Sequence, residues 1–200
     1  MITRKWLKDR YACVAGIRWF EKNVCSDGIE IPALAEKLML ENRFSWANWL
    51  VTNNLNKGHN IEYAVFAARQ VLSIYEKEYP EDKRPREAIE LAEGYLRCPS
   101  QKAAHAAAHA AAAASAAAHT AYMAASAFAA VDDAAYMAAS AVSEAAYAAA
   151  YASHVASHEA YAAAYASHTA VDSAVDAAVD AAERMRLGKV IIDFGLSLIE

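Results

Sequence analysis

One long stretch of this 200-residue chain lacks both helix breakers and positive charge. Between Pro99 and Gly188 there is neither glycine nor proline, and residues 103–182 contain no lysine or arginine. The first absence leaves no backbone chemistry that would force a helix to stop. The second excludes nucleic-acid binding through this stretch, because phosphate affinity needs clustered cations that displace counterions. Seven acids over the same eighty residues are also too sparse to mimic a duplex, which carries one charge per about 1.7 Å of axis. Cysteine is scarce as well. Cys13, Cys25 and Cys98 form an odd set without CxxC spacing, which argues for free thiols in a reducing compartment. No apolar run opens the chain at Met1–Arg10, so no signal peptide is expected there and a cytoplasmic location is. The alanine stretch is long enough to cross a bilayer, but it is weakly apolar and interrupted every few residues by His, Ser, Asp or Glu. No membrane span is expected from it.

What the stretch does contain is alanine: 42 of the 80 residues from 103 to 182. Alanine is the best helix former, so the tract reads as helical. It is also repetitive. Ala121–Ala127 (AYMAASA) recurs at 135–141, and Ala146–His154 (AYAAAYASH) recurs at 160–168, each after fourteen residues. Tyr147, Tyr151, His154, His158, Tyr161, Tyr165 and His168 follow one another at alternating steps of four and three. That period of 3.5 marks a seam between nearly parallel helices. The same register runs back through Ser140, Met137 and Met123 to His109 and His105. One straight helix over the tract would be about 130 Å long and would leave its stripe exposed. The expected fold class is therefore all-α: a small helical head, then an alanine-rich antiparallel helical bundle. Its turns would fall near Val131–Asp133, Ser143, Ser157 and Thr169–Ser173. An extended coiled coil that pairs with another chain is the alternative, and it makes the protein a possible homo-oligomer.

The remainder divides by its punctuation. Residues 1–44 read as an N-terminal helical module, with Trp6, Leu7, Tyr11, Ile17 and Phe20 near helical spacing and a turn at Ser26–Gly28. Residues 45–99 read as the head, with a clear amphipathic helix at 60–79 ended by Pro80 and another opened by Pro85. Residues 100–187 are the repeat body. Gly188 looks like a C-terminal stop after Arg184 and Arg186, leaving the apolar residues 188–200 as a closing helix.

Few groups point to chemistry. His105/His109 and His154/His158 have the i, i+4 spacing of metal-binding pairs, but Val155 stands where a zinc protease needs glutamate, and only Glu159 lies nearby as a third ligand. A metal-dependent enzyme using His154 and His158 is one rival reading. Packing explains the alternation with tyrosine better, so no metal and no cofactor are expected. No phosphate loop and no nucleophile with a base is present, and no catalytic residue is assigned. Four tryptophans in the first 49 residues are dense for a small head. Of these, Trp46 and Trp49, with Asp82, Arg84 and Arg86 of the mixed-charge stretch Glu81–Arg86, are the candidate partner-binding residues: tryptophan as an anchor, arginine as a bidentate clamp.

The segments Trp46–Leu50, Ala67–Leu72 and Tyr75–Glu90, followed by an alanine tract, resemble the immunity-protein family of bacteria and phages. Tyr11–Phe20 is similar to an opening module of phage accessory proteins. Together these cover residues 1–185. The resemblance implies a small accessory protein that binds and neutralises a protein target, whether a toxin or a host factor. It brings no catalytic residues with it.

Overall fold

A computed structural model describes residues 1–24, 28–107, 109, 137, 140–141, 157–177 and 181–199, with the backbone alone at 157–164, 167 and 181. The chain is all-α. Its helices are α1 (Arg4–Asp9), α2 (Val14–Asn23), α3 (Ile31–Leu40), α4 (Phe44–Thr52), α5 (Lys57–Glu78), α6 (Arg84–Arg97), α7 (Ser157–Asp176) and α8 (Ala181–Ser197). A further helical stretch covers 101–107. Among the described residues, extended pairing is confined to one isolated bridge, Ile2 with Ile29.

Local chemistry sets the starts. Thr3 Oγ1 accepts the Trp6 N–H at 3.2 Å, Asn56 Oδ1 accepts that of His59 at 2.9 Å, and Ser100 Oγ accepts that of Ala103 at 3.1 Å. Each satisfies a donor that the first helical turn leaves open. Proline occupies the first turn of α3 and of α6, where its missing N–H costs nothing.

Helix α5 is the central element. One side of it, Tyr63, Ala67, Val71 and Tyr75, joins a core with Ile2, Phe20, Leu34, Leu50, Val171, Val175 and Ile191. The other, Ile61, Ala64, Ala68 and Leu72, joins a second core with Ile89, Tyr95, Ala104, Ala107, Ala166 and Ala170. The first core draws on all four of the segments that the sequence marks off.

The second core decides how the alanine tract runs. Ala104 and Ala107 near its start share that core with Ala166 and Ala170 near its end. A rod of about 130 Å could not bring them together, so the tract returns to the head. Of the expected turns, the one at Thr169–Ser173 is absent: α7 runs through it, with Thr169 Oγ1 donating to the Tyr165 carbonyl at 3.1 Å and Ser173 buried. Hydroxyls bonded back to the preceding turn leave a helix intact. Those at Val131–Asp133 and Ser143 lie outside the described residues.

Gly188 also corrects the expectation, because α8 passes through it. A Cβ there would collide with the Phe44 ring, and one at Gly195 would lie 2.6 Å from both the Tyr63 ring and Val51. These glycines are sites of close approach, not stops. Replacing Gly195 with Ala should cost about 1–3 kcal/mol of stability in urea denaturation, overpacking outweighing the helical gain. At Gly94, where the nearest atom would be Arg97 Nη2 at 4.0 Å, the same change should add about 0.5–1 kcal/mol. Equal effects at the two sites would contradict this reading of α8.

Candidate functional site

Helices α1, α2, α3 and α4 wall a cavity of about 310 Å³. The segment Tyr11–Phe20 contributes Tyr11, Cys13, Gly16, Trp19 and Phe20, while α4 contributes Trp46, Trp49 and Leu50. The rings are fixed by one another. Trp19 meets Trp46 edge-on at 6.1 Å between centroids, and Trp6 meets Trp49 at 5.8 Å. Arg43 lies over Trp46 at 4.4 Å and Trp19 at 5.6 Å, a favourable use of a cation on indole faces. Glu41 accepts from Trp19 Nε1 at 2.7 Å and from Arg43 at 3.0 Å. The Arg43 guanidinium, then the indole N–H, hold its carboxyl below the usual range. Such a cavity, mostly apolar with a few polar groups, has the chemistry of a binding site, near the lower end of the usual size range.

Its far side is set by α7. Ser45 and His168 line it, and behind them stands a polar clamp. Buried Asn48 donates through Nδ2 to Asp172 Oδ1 at 2.7 Å and to the His168 carbonyl at 2.9 Å, while Ser45 Oγ donates to Asp172 Oδ2 at 2.9 Å. His168 Nε2 lies 3.4 Å from Asp172 Oδ2. Burial first, and then the Asp172 charge, pushes the Tyr63 phenol well above its ordinary pKa.

Of the candidate partner-binding residues, the structure brings Trp46 and Trp49 into the cavity and puts the others to internal use. Arg84 pairs with Asp82 through Nε–Oδ1 at 2.9 Å and Nη2–Oδ2 at 2.6 Å, and Arg86 pairs with Glu76 at 2.7 and 2.6 Å. Both forks are therefore filled from within the chain. Tyr75 Oη also donates to Asp82 at 2.7 Å, fixing the 79–84 turn to the end of α5. None of these residues lines the cavity. Sequence reasoning had not singled out Trp19, Phe20, Cys13 or Tyr11 as site residues; the density of tryptophan was the signal that pointed there.

The stripe divides too. Met137 packs against the first core, and His168 is half-buried. Tyr165, expected in the seam, is 61% exposed, while its neighbours Ala166 and Ala170 are buried. On this part of α7 the alanines face inward, since only a small side chain fits a closely approaching helix. His158 and Tyr161 lie on α7 outside the described side chains, and Tyr147, Tyr151 and His154 lie outside the described residues. His105 and His109 are exposed. Among the described residues no group of three or more His, Cys, Asp or Glu could hold a metal ion. No described helix is long and apolar enough to cross a membrane. Neither a family model, nor a curated protein, nor a solved structure matches the chain.

The Asp82 pairing gives a pH signature. The Arg84 guanidinium holds the Asp82 carboxyl down to about 2 from 3.8. A depressed carboxylate stabilises the fold above its unfolded pKa, and the gain is lost as pH falls through the folded value. Allowing for solvent screening on the more exposed Arg84, the pairing should contribute about 1–2 kcal/mol at neutral pH. Urea midpoints of the wild type and Asp82→Asn should differ by that amount at pH 7 and converge between about pH 4 and pH 2. Parallel curves down to pH 2 would show the pairing to be idle.

Proposed function

We propose that the protein acts without catalysis, by binding a protein partner whose anchor side chain enters the tryptophan-walled cavity. The observation that carries this is the set Trp19, Trp46 and Trp49 around one cavity whose rim holds Tyr11 and Cys13, both exposed. Tryptophans that only filled a core would close on one another; here they leave room beside them. Aromatic side chains around a desolvated pocket are the usual seat of binding energy in protein interfaces. The resemblance of residues 46–90 to immunity proteins is consistent with an inhibitory outcome, in which the partner is held and neutralised. Asp82, Arg84 and Arg86 are not part of this interface, because their charges are met internally.

The test is a cavity-filling variant. Gly16 sits in α2 on the cavity wall, and a Cβ there would meet Cys13 Sγ at an ordinary 3.4 Å. Gly16→Leu should keep the helix and fill the space. Quantitative affinity capture from the native host with wild type and Gly16→Leu should recover one partner at least about tenfold better with the wild type. Equal recovery by both proteins, with matching circular dichroism, would move the interface elsewhere.

Self-association is a second reading, favoured by the face between α3 and α8. Leu40 there is 78% exposed, and Met185 and Val190 of the same groove are exposed as well. Apolar residues clustered in this way mark contact surfaces. Sedimentation should show a dimer at micromolar concentration that Leu40→Glu converts to monomer; a wild-type monomer would end this reading.

A further inference from the structure

Charge narrows the occupant of the cavity, an inference that rests on the partner-binding reading. The whole chain carries −5, yet residues 1–24, which supply Leu7, Tyr11, Cys13, Trp19 and Phe20 to the wall, hold six cations and two acids. Both acids are already paired, Asp9 with Lys5 and Glu21 with Arg4. Lys8, Arg10, Arg18 and Lys22 are exposed, and no carboxylate pairs with them among the described residues. Lys8 and Arg10 lie between Leu7 and Tyr11 along the chain, and Arg18 precedes Trp19. The segment that supplies this wall thus carries four cations without a carboxylate partner, whereas the acids bonded to the lining, Glu41 and Asp172, are met within the chain, on a molecule that is acidic as a whole.

A second feature marks the same rim. Tyr11 has a φ of 57°, in the left-handed region, and its side chain is 90% exposed. For a bulky residue that conformation is strained, and strain of this kind gathers at functional positions. Here it holds an aromatic ring in solvent beside an apolar opening.

We propose that the cavity takes one large apolar side chain from an acidic segment of the partner protein, whose carboxylates lie against Lys8, Arg10 and Arg18. Opposite charge at the rim raises the association rate and selects the partner, while the buried anchor supplies affinity. A nucleobase is the rival anchor for aromatic walls beside cations. It needs several in-plane donors and acceptors, and beside the Tyr11 hydroxyl and the indole N–H donors this lining offers Ser45, Cys13 and His168, with no carboxylate or amide to read a base edge.

Selection of a random-peptide library displayed on phage, against the immobilised full chain, tests this directly. Enriched peptides should be net acidic, with one large apolar residue, and should lose at least about tenfold in affinity against Lys8→Glu/Arg18→Glu. Their binding should also weaken as NaCl rises from about 50 to about 300 mM. It should fall with Gly16→Leu and with Tyr11→Ser, the second being an exposed site where folding is not at risk. Neutral or basic peptides that depend on Gly16 and Tyr11 would overturn the charge assignment and leave the cavity reading standing. Acidic peptides indifferent to both cavity variants would overturn the cavity reading itself, and no enrichment would overturn both. An oligothymidylate that binds tighter than every selected peptide would replace the acidic segment with nucleic acid.

Discussion

The structure depends on a close approach of two helices through their small residues. Ala64 and Ala68 of α5 share a core with Ala166 and Ala170 of α7, and Ala67 and Val71 share the other with Val171 and Ala174. Among the described residues, no other pair of helices meets as extensively as α5 and α7. Alanine faces bury little apolar area per residue, so contact of this kind needs length and close fit to be worthwhile. Polar bonds supply what alanine cannot. Asn48 holds both the carboxylate of Asp172 and the carbonyl of His168 from α4, fixing the rotation of α7 against the head. A donor aimed at a charged acceptor is worth more than an ordinary hydrogen bond.

From that contact follow the positions of the remaining elements. Once α7 lies across α4 and α5, His168 and Ser45 close one side of the cavity that α1 and α2 open to solvent on the other. Helix α8 can then lie on Phe44, Tyr63 and Val51 only because Gly188 and Gly195 present no side chain to them. The end of the alanine tract is therefore part of the framework that shapes the site.

Much of the architecture was legible in the sequence, for reasons that differ by element. Helix α5 could be read from Ile61, Val65, Ala68, Leu72 and Tyr75, since burial of a face imposes that spacing, although the helix also buries a second face through Tyr63, Ala67 and Val71; Pro80 and Pro85 bracket the turn that follows. The alanine tract was legible as helix and not as path. Propensity says that alanine will be helical, but a face made of alanine carries little information about which neighbour it meets. The ring stripe drew the eye because rings are conspicuous. Where the side chains are described, Tyr165 turns outward and Ala166 and Ala170 face in, the reverse of the emphasis that ring periodicity encourages. Gly188 was misread because a glycine after two arginines matches a helix stop, and nothing local reveals that Phe44, far away in sequence, occupies the space of its side chain. The candidate site was half legible. Trp46 and Trp49 stood out by type, whereas the internal partners of Arg84 and Arg86 could be seen only once Asp82 and Glu76 had been placed beside them.

The central claim is that the end of the alanine tract and the tryptophan-bearing head fold as one unit. All four tryptophans lie within the first 49 residues, so their fluorescence arises in the N-terminal module and the head and not in the tract. The most direct measurement is the urea unfolding midpoint seen by tryptophan fluorescence in wild type and in Ala170→Leu, a substitution that overfills the α5–α7 contact. The account predicts that this distant change lowers the tryptophan-detected stability by about 1–3 kcal/mol, with the far-ultraviolet circular dichroism transition moving in step. A fluorescence transition that stays at the wild-type midpoint would show that the head folds without the tract.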